Sequence, residues 1–293
     1  MPIRSFKQEI LLLAKSDTRT VKFVDRTFNA NNKRACEIFR FIIENYGTQI
    51  PKGICFHFEI AGDILSEEAM ELLSTAPCGS IQLEIGLQSL NIKTLDSINR
   101  KTNLDKLTAN INRLLSYGNI HIHIDLIVGL PYEDITSFSD SFNKAYELKP
   151  HMLQMGFLKL LHGSDLRKKA EQYKCRYTAE APYEVMDTPW LSGEDIALLK
   201  STEDALNRMY NSGRFHNTLE YIFTMTARTP FDVFNSFGRF TANTGTAKIK
   251  LDVYTKLVYD YFSSIDGVNS EVLREKKLST DLQRILPERY PNF

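Results

Sequence analysis

The chain has 293 residues, of which 43% are hydrophobic and 11% aromatic, so it has enough apolar material for a large core and a smaller domain beside it. Lysine plus arginine and aspartate plus glutamate both number 36, and this balance gives no basic face of the kind that binds nucleic acid. The apolar segments are much shorter than the roughly 20 residues of a membrane span, and no signal peptide is recognisable. We therefore expect a cytoplasmic protein with neither nucleic acid nor membrane as a partner.

The first 175 residues alternate short β-branched segments with longer segments of helical periodicity. The predicted strands cover residues 20–25, 53–63, 80–89, 119–131 and 152–160. The predicted helices between them cover residues 31–47, 65–76, 104–118 and 131–150. Strand, helix and strand at this spacing predict parallel strands with right-handed crossovers. Because no Rossmann glycine fingerprint is present, the pattern favours an α/β fold of the incomplete TIM-like (β/α) part-barrel type over a doubly wound sheet.

One face of three predicted strands is polar, although strands buried on both faces are normally apolar throughout. The polar positions are Cys55, His57 and Glu59, then Gln82 and Glu84, then His121, His123 and Asp125. Buried carboxylates and imidazoles are costly unless they pair or bind a ligand. We expect this face to line a shared interior that has a function.

The spacing of His121 and His123 permits two interpretations. Alternate residues of a strand lie on one face about 6.6 Å apart, so the two imidazoles could bind zinc with Asp125 or Glu84, as in a metal-dependent hydrolase barrel. However, active sites of parallel barrels lie at the carboxyl ends of the strands, and His123 precedes Gly129 by six residues. The favoured interpretation is a buried polar layer of His57, His121 and His123 with Glu84 and Asp125, without a metal ion.

After Cys175 the pattern becomes helical without intervening strands. Four phenylalanines, at positions 231, 234, 237 and 240, recur every third residue, which predicts a buried helix face. The predicted domains are a part-barrel over residues 1–176 and a mainly helical domain over residues 177–293.

Four segments, in order, resemble the later part of the radical S-adenosylmethionine (SAM) domain. They are FHFEIAGD, LEIGLQSLNIKTLDSINRKTN, IDLIVGLPYED and LKLLHGSDL. The resemblance is to the cobalamin-associated branch that includes the anaerobic Mg-protoporphyrin IX monomethyl ester oxidative cyclases. The segment from about residue 177 onward resembles a C-terminal extension carried by one subgroup of these proteins.

The resemblance implies an iron–sulfur cluster and SAM at the mouth of the part-barrel, where a 5′-deoxyadenosyl radical forms and abstracts a substrate hydrogen. The implied cofactor-binding residues are Glu59, Gly86, Gln88, Ser89, Asp125, Gly129 and Gln154. Glu59 and the turn from Gly86 to Ser89 would lie beside the ribose and methionine groups, and the regions of Gly129 and Gln154 beside the adenine. Glycines permit close backbone approach, and carboxyl or amide groups can bind sugar hydroxyls or an amine. The resemblance identifies no catalytic residue, and a porphyrin-like substrate is one expectation.

The cysteines depart from the pattern of that superfamily. Its cluster is held by a C-x-x-x-C-x-x-C loop, whereas Cys36, Cys55, Cys78 and Cys175 are widely spaced. We expect a C-terminal fragment of a longer protein, inactive by itself, with the cluster loop and any cobalamin-binding domain missing. The alternatives are a zinc-dependent hydrolase that uses His121 and His123, and a non-catalytic binding protein.

Overall fold

A computed structural model describes residues 3–242, 244 and 249–285. Its sheet has five strands that follow the chain order from edge to edge. They are β1 (Thr20–Lys22), β2 (Cys55–Ile60), β3 (Ile81–Gln88), β4 (His121–Val128) and β5 (Met152–Phe157). The pairs from β1 to β4 are parallel. The sheet and its helices confirm the predicted α/β fold, a partial TIM-like barrel with a helical domain.

Helices alternate with the first five strands, as predicted, and two further strands follow β5. The elements that precede β5 are α1 (Ile3–Ala14), α2 (Asn32–Asn45), α3 (Glu67–Ser74), α4 (Ile92–Ser97), α5 (Leu104–Tyr117) and α6 (Ile135–Glu147). The elements that follow β5 are α7 (Asp165–Lys168), β6 (Arg176–Tyr177), β7 (Val185–Asp187), α8 (Gly193–Leu206), α9 (His216–Met225), α10 (Pro230–Thr241), α11 (Leu251–Phe262), α12 (Ser270–Val272) and α13 (Ser279–Ile285). Short π-helical segments follow α8 and α12.

The expectation of helices without strands after Cys175 is wrong in one place. β6 and β7 form a small antiparallel sheet, and the strands are so short that no alternating pattern marks them in the sequence. Contacts divide the chain into two compact units, Met1–Leu126 with Glu147–Leu153, and Ile127–Tyr146 with Gln154–Phe293. The predicted boundary after residue 176 stays a prediction, because a division by contacts need not coincide with domains that fold separately.

In the first unit, the apolar face of the sheet packs against helices through aromatic side chains. The ring centroid of Phe58 on β2 lies 5.1 Å from that of Phe39 on α2 and 4.5 Å from that of Phe28. The helix ends follow the sequence signals: the Ser66 side chain caps α3 by accepting from the Ala69 amide, and α5 ends at Gly118 with φ of 69°. The apolar face therefore belongs to the core, and the opposite face of the strands carries the polar residues.

In the second unit, the phenylalanine stripe packs on one face of α10. Phe231, Phe234 and Phe237 are buried, as predicted, whereas Phe240 is 44% exposed. A Cβ on Gly238 would lie 2.6 Å from the carbonyl oxygen of Ser201 on α8. The glycine therefore lets α10 and α8 approach closely. Within the described residues, the structure contains no helix with the length and apolar character needed to cross a membrane.

Candidate functional site

The register of β2, β3 and β4 arranges the polar side chains of the first unit in rows. His57, Gln82 and His121 pair across the strands in one row, and Glu59, Glu84 and His123 form the next row toward the carboxyl ends. Gly86 and Asp125 pair one row further along. The predicted order of depth is confirmed, because the histidines precede Asp125 and Gly86 along the strands.

Ion-pair contacts connect these rows. His57 Nε2 lies 2.7 Å from Glu84 Oε2, and His123 Nε2 lies 2.7 Å from Asp125 Oδ1. Glu84 Oε2 also accepts a hydrogen bond of 2.8 Å from Lys22 Nζ on β1. The predicted polar layer is thus confirmed for His57 and His123.

His121 is not part of that layer. Its ring centroid lies 5.1 Å from that of His151, the residue directly before β5. Burial and the neighbouring His151 lower the pKa of His121 to about 4. The predicted pairing of His121 with Glu84 or Asp125 is wrong, because the row position of His121 brings it to His151 instead.

The three carboxylates of the cluster differ in their protonation behaviour. Contact with His57 holds the pKa of Glu84 well below its ordinary value, with a further contribution from Lys22. Burial raises the pKa of Glu59, and the nearby charges of Glu84 and Asp125 raise it further. Burial also raises the pKa of Asp125, against the effect of His123. Negative charge is therefore concentrated on Glu84, and Glu59 and Asp125 bind protons more readily than free carboxylates.

The end of β3 forms a distorted turn at Gly86, Gln88 and Ser89. The register against β4 shifts between Gly86 and Gln88, and Gln88 has a φ of 68°, which is unusual for a residue with a side chain. The Gln88 amide folds over Gly86, where a Cβ would collide with Gln88 Nε2. The absence of a side chain at Gly86 therefore leaves room for the Gln88 amide at this turn.

Arg100 completes this turn, and the sequence analysis did not identify it. Its Nη2 donates a hydrogen bond of 2.5 Å to the carbonyl oxygen of Gly86, and burial lowers its pKa. Arg100 Nε and Gln88 Oε1 are both buried without a hydrogen-bond partner among the described residues. The available signal was an arginine three residues after the short helix α4, inside the longest segment that resembles the SAM domain.

Ser89 and Asn29 support the site from the backbone side. Ser89 is fully buried, and its Oγ accepts from the Asn91 amide, which places it in the turn that begins α4. Asn29 is also fully buried, and it exchanges two hydrogen bonds with the backbone of Ala61. These contacts fix the segments that follow β3 and β2, next to Gln88 and Glu59.

Gly129 and Gln154, the other two predicted cofactor-binding residues, belong to the second unit. Gly129 has a φ of 90°, and a Cβ there would lie 2.8 Å from Val185 Cγ1 on β7. Backbone conformation and packing therefore account for this glycine. Gln154 is half-buried on β5.

The cysteines do not fit an iron–sulfur cluster. Cys36 and Cys175 are buried and Cys78 is exposed. Burial raises the pKa of Cys36, Cys55 and Cys175, which disfavours the thiolate that binds iron. Among the described residues, the convergent group of metal-ligating side chains consists of His57, Glu84 and His123 and includes no cysteine.

The residues at the end of β3 do fit the polar groups of SAM. The unpartnered guanidinium nitrogen of Arg100 can bind a carboxylate, and the unpartnered Gln88 oxygen can accept from an ammonium or a hydroxyl. Buried polar atoms without partners are costly in a folded protein. Carboxylate, ammonium and hydroxyl groups are the kinds of partner that these two atoms lack.

Comparison with known proteins gives two family matches along the chain. Residues 1–145 match the family described as the Radical SAM superfamily, and residues 171–284 match one described as "Protein of unknown function (DUF4080)". A curated relative, the oxygen-independent coproporphyrinogen-III oxidase-like protein HemZ of Bacillus subtilis (strain 168), is 27% identical over 112 residues. That match covers 38% of this chain and 22% of HemZ.

Two solved structures share the fold. The radical SAM methyltransferase TsrM from Kitasatospora setae superposes with a TM-score of 0.51 at 16% identity, over 61% of this chain and 34% of TsrM. Coproporphyrinogen III oxidase (HemN) from Escherichia coli superposes with a TM-score of 0.50 at 20% identity, over 70% of this chain and 45% of HemN. The chain thus spans about a fifth of its curated relative and less than half of either structure. The part-barrel residues 1–145 are thus similar to the Radical SAM superfamily, and the two solved structures show the same fold.

Proposed function

We propose that the part-barrel binds S-adenosylmethionine at the end of β3, as the SAM-binding portion of a radical SAM enzyme. The observation that supports this proposal is the pair of buried, unpartnered atoms, Gln88 Oε1 and Arg100 Nε. They lie in a chain whose first 145 residues match the radical SAM family. A polar ligand at this strand end would remove the desolvation cost of both atoms.

Each residue has a chemically defined role in this proposal. Arg100 binds the carboxylate of the methionine group, because a guanidinium and a carboxylate form strong charge-assisted hydrogen bonds. Gln88 accepts from the ammonium, and Glu59 accepts from the ammonium or a ribose hydroxyl. Gly86 keeps the backbone clear of a side chain, Ser89 holds the turn, and Asp125 lies beside Gly86 in the register.

For this chain we propose binding of SAM and no further chemical step. SAM beside a reduced iron–sulfur cluster supplies a 5′-deoxyadenosyl radical, but the four cysteines here do not fit such a cluster. We assign no radical step to these residues, and we propose that the chain by itself does not cleave SAM. A cluster would require cysteines that this sequence does not hold in one loop.

The reaction of the whole enzyme is proposed from the resemblance to the cyclase branch. A porphyrin-like small molecule is the proposed substrate, and the names of HemZ and HemN, which refer to coproporphyrinogen, support it. Cobalamin is proposed as a further cofactor of the whole enzyme, since TsrM has been solved with cobalamin and a [4Fe-4S] cluster bound. The partial coverage of these proteins limits their support to the class of ligand.

The direct test is binding of SAM and S-adenosylhomocysteine to the purified chain by isothermal titration calorimetry. We expect saturable one-to-one binding by the wild-type protein and weaker binding after Gln88→Ala. ATP, which lacks the methionine group, should bind less tightly than either ligand. No heat of binding at ligand concentrations up to about 1 mM, the millimolar range of weak specific complexes, would overturn the proposal.

A further inference from the structure

Three metal-ligating side chains converge on the polar face of the sheet in the first unit. One ligand atom from each of His57, Glu84 and His123 lies within 4.8 Å of the other two. The register explains the convergence, because Glu84 and His123 are paired neighbours on β3 and β4, and His57 is one row below on β2. The site is therefore built on three adjacent strands, which hold their side chains more rigidly than loops do.

The three side chains are buried in this position. His57 is 8% exposed and His123 is 5% exposed, and the side chain of Glu84 is 13% exposed. His123 Nδ1 is buried and has no hydrogen-bond partner among the described residues. An unpartnered buried nitrogen destabilises a folded protein, so this atom indicates that a partner is missing from the cluster.

We propose that His57, Glu84 and His123 bind one divalent first-row transition ion of the zinc and cobalt class. Two imidazoles with one carboxylate form a donor set suited to such ions. Three protein ligands leave a further coordination position for water or another small ligand. This site does not depend on the proposed SAM-binding function.

Asp125 supports the same assignment from outside the ligand set. Its Oδ1 lies 2.7 Å from His123 Nε2, and a carboxylate beside a metal-binding histidine helps to orient the imidazole ring.

Lys22 would compete with a metal ion for the carboxylate of Glu84. Its Nζ lies 2.8 Å from Glu84 Oε2, and its side chain is 54% exposed. Because the lysine side chain is more than half exposed, the ammonium group can move into solvent when a metal ion arrives. The opposing interpretation is that Lys22 and His57 already satisfy Glu84 and that the cluster is only an ion-pair layer.

The two interpretations predict opposite effects for Lys22→Ala. Loss of the competing ammonium should tighten zinc binding by about 2- to 5-fold, the factor that corresponds to an exposed ion pair. Tighter binding cannot result from misfolding. Unchanged or weaker zinc binding by a folded Lys22→Ala protein would contradict the proposed ligand Glu84.

The main experiment measures metal uptake by the tag-free chain after incubation with zinc or cobalt and removal of free ion. We expect one ion per chain in the wild type, little in Glu84→Gln and His123→Asn, and wild-type uptake in His121→Asn, the control on the same strand. Circular dichroism monitors folding of each variant. The cobalt-loaded protein should show visible d–d absorption without the near-ultraviolet thiolate band that cysteine ligation would give.

Three outcomes would contradict the proposed metal site. The first is a folded wild-type chain that retains no ion. The second is a thiolate charge-transfer band, which would assign the ion to a cysteine. The third is retention by Glu84→Gln and His123→Asn, or an equal loss in His121→Asn.

Discussion

Arg100 donates a hydrogen bond from Nη2 to the carbonyl oxygen of Gly86, with a length of 2.5 Å, which ties the segment after α4 to the end of β3. The same guanidinium keeps Nε buried and without a partner among the described residues. One arginine thus holds the turn and presents a second donor beside it. The two roles can be separated experimentally, because only the second involves a ligand.

Arg100→Met should weaken binding of SAM by about 10-fold or more, because a charge-assisted hydrogen bond contributes roughly 1.5–3 kcal/mol. Binding of 5′-methylthioadenosine, which lacks the carboxylate, should change little. Titration calorimetry with both ligands measures the difference. The matched control is Arg113→Met on α5, because the Arg113 side chain is 40% exposed and pairs with Glu67. An equal loss for both ligands would show that Arg100 acts only on the structure of the turn.

Gly86→Ala should destabilise the first unit by about 1–3 kcal/mol, the usual cost of overpacking, because its Cβ would collide with the Gln88 amide. The obstacle is the end of a flexible side chain, so Gln88→Ala added to Gly86→Ala should restore most of the loss. Urea unfolding of the two single variants and the double variant measures this coupling. Additive losses in the double variant would contradict the packing explanation.

Gly129→Ala should behave differently when it is combined with Val185→Ala. A Cβ at position 129 would meet Val185 at 2.8 Å, but the glycine also has a φ of 90°. The backbone strain of a non-glycine residue there, about 1–2 kcal/mol, remains after Val185 is shortened. Urea unfolding should therefore show only partial compensation. Full recovery in the double variant would mean that φ is not a constraint.

The part-barrel could be predicted from the sequence because each strand alternates a buried apolar set with a polar set. Phe56, Phe58 and Ile60 are all buried in the core, and the periodicity that distinguishes strand from helix is strong there. The hairpin of β6 and β7 could not be predicted in this way, since segments of two and three residues carry no periodic signal.

Only part of the site could be predicted from the sequence, namely which residues share one face of the sheet. Alternation places His57, Glu84 and His123 on one face, but the neighbours of each residue depend on register, which sequence patterning fixes weakly within a polar face. The His121 contact with His151 and the return of Arg100 to Gly86 both join segments that are distant along the chain. Contacts between distant segments are not marked by any local pattern in the sequence.

Stability of the first unit should fall as pH is lowered from about 6.5 to 4, because of His121. Its pKa in the folded state is about 4, below the ordinary value near 6.5, so in this window the unfolded chain binds a proton that the folded chain does not. The loss attributable to His121 should be about 2–3 kcal/mol at pH 4. Because Glu59, Glu84 and Asp125 also titrate, the measurement is the difference between wild type and His121→Gln in urea unfolding across this range.

The control for that difference is His216→Gln, since the side chain of His216 on α9 is 63% exposed. This variant should retain the wild-type slope of stability against pH. The explanation would be abandoned if His121→Gln and His216→Gln gave the same slope as the wild type. A variant at His151 should give part of the His121 effect, because its pKa is also lowered by burial.

Asp281→Ala should destabilise the second unit by about 2–4 kcal/mol, because Asp281 caps α9 from a distant part of the chain. The carboxylate is fully buried and accepts from the backbone amides of Asn217 and Thr218, from the Asn217 side-chain amide and from Thr218 Oγ1. Removal leaves the two amides at the helix N-terminus buried without an acceptor. Asp281→Asn keeps one acceptor oxygen and should lose about half as much.

Denaturant unfolding followed by circular dichroism compares these variants with Asp252→Ala, an aspartate in the first turn of α11 whose Oδ1 accepts from the Val253 amide. That control should lose no more than about 1 kcal/mol, the value of a charge near an exposed helix N-terminus. If Asp281→Ala caused an equally small loss of stability, the N-terminus of α9 would be stable without the Asp281 carboxylate. The order Asp281→Ala, Asp281→Asn, Asp252→Ala in decreasing loss is therefore the expected result, since it follows the number of buried donors that each substitution leaves without an acceptor.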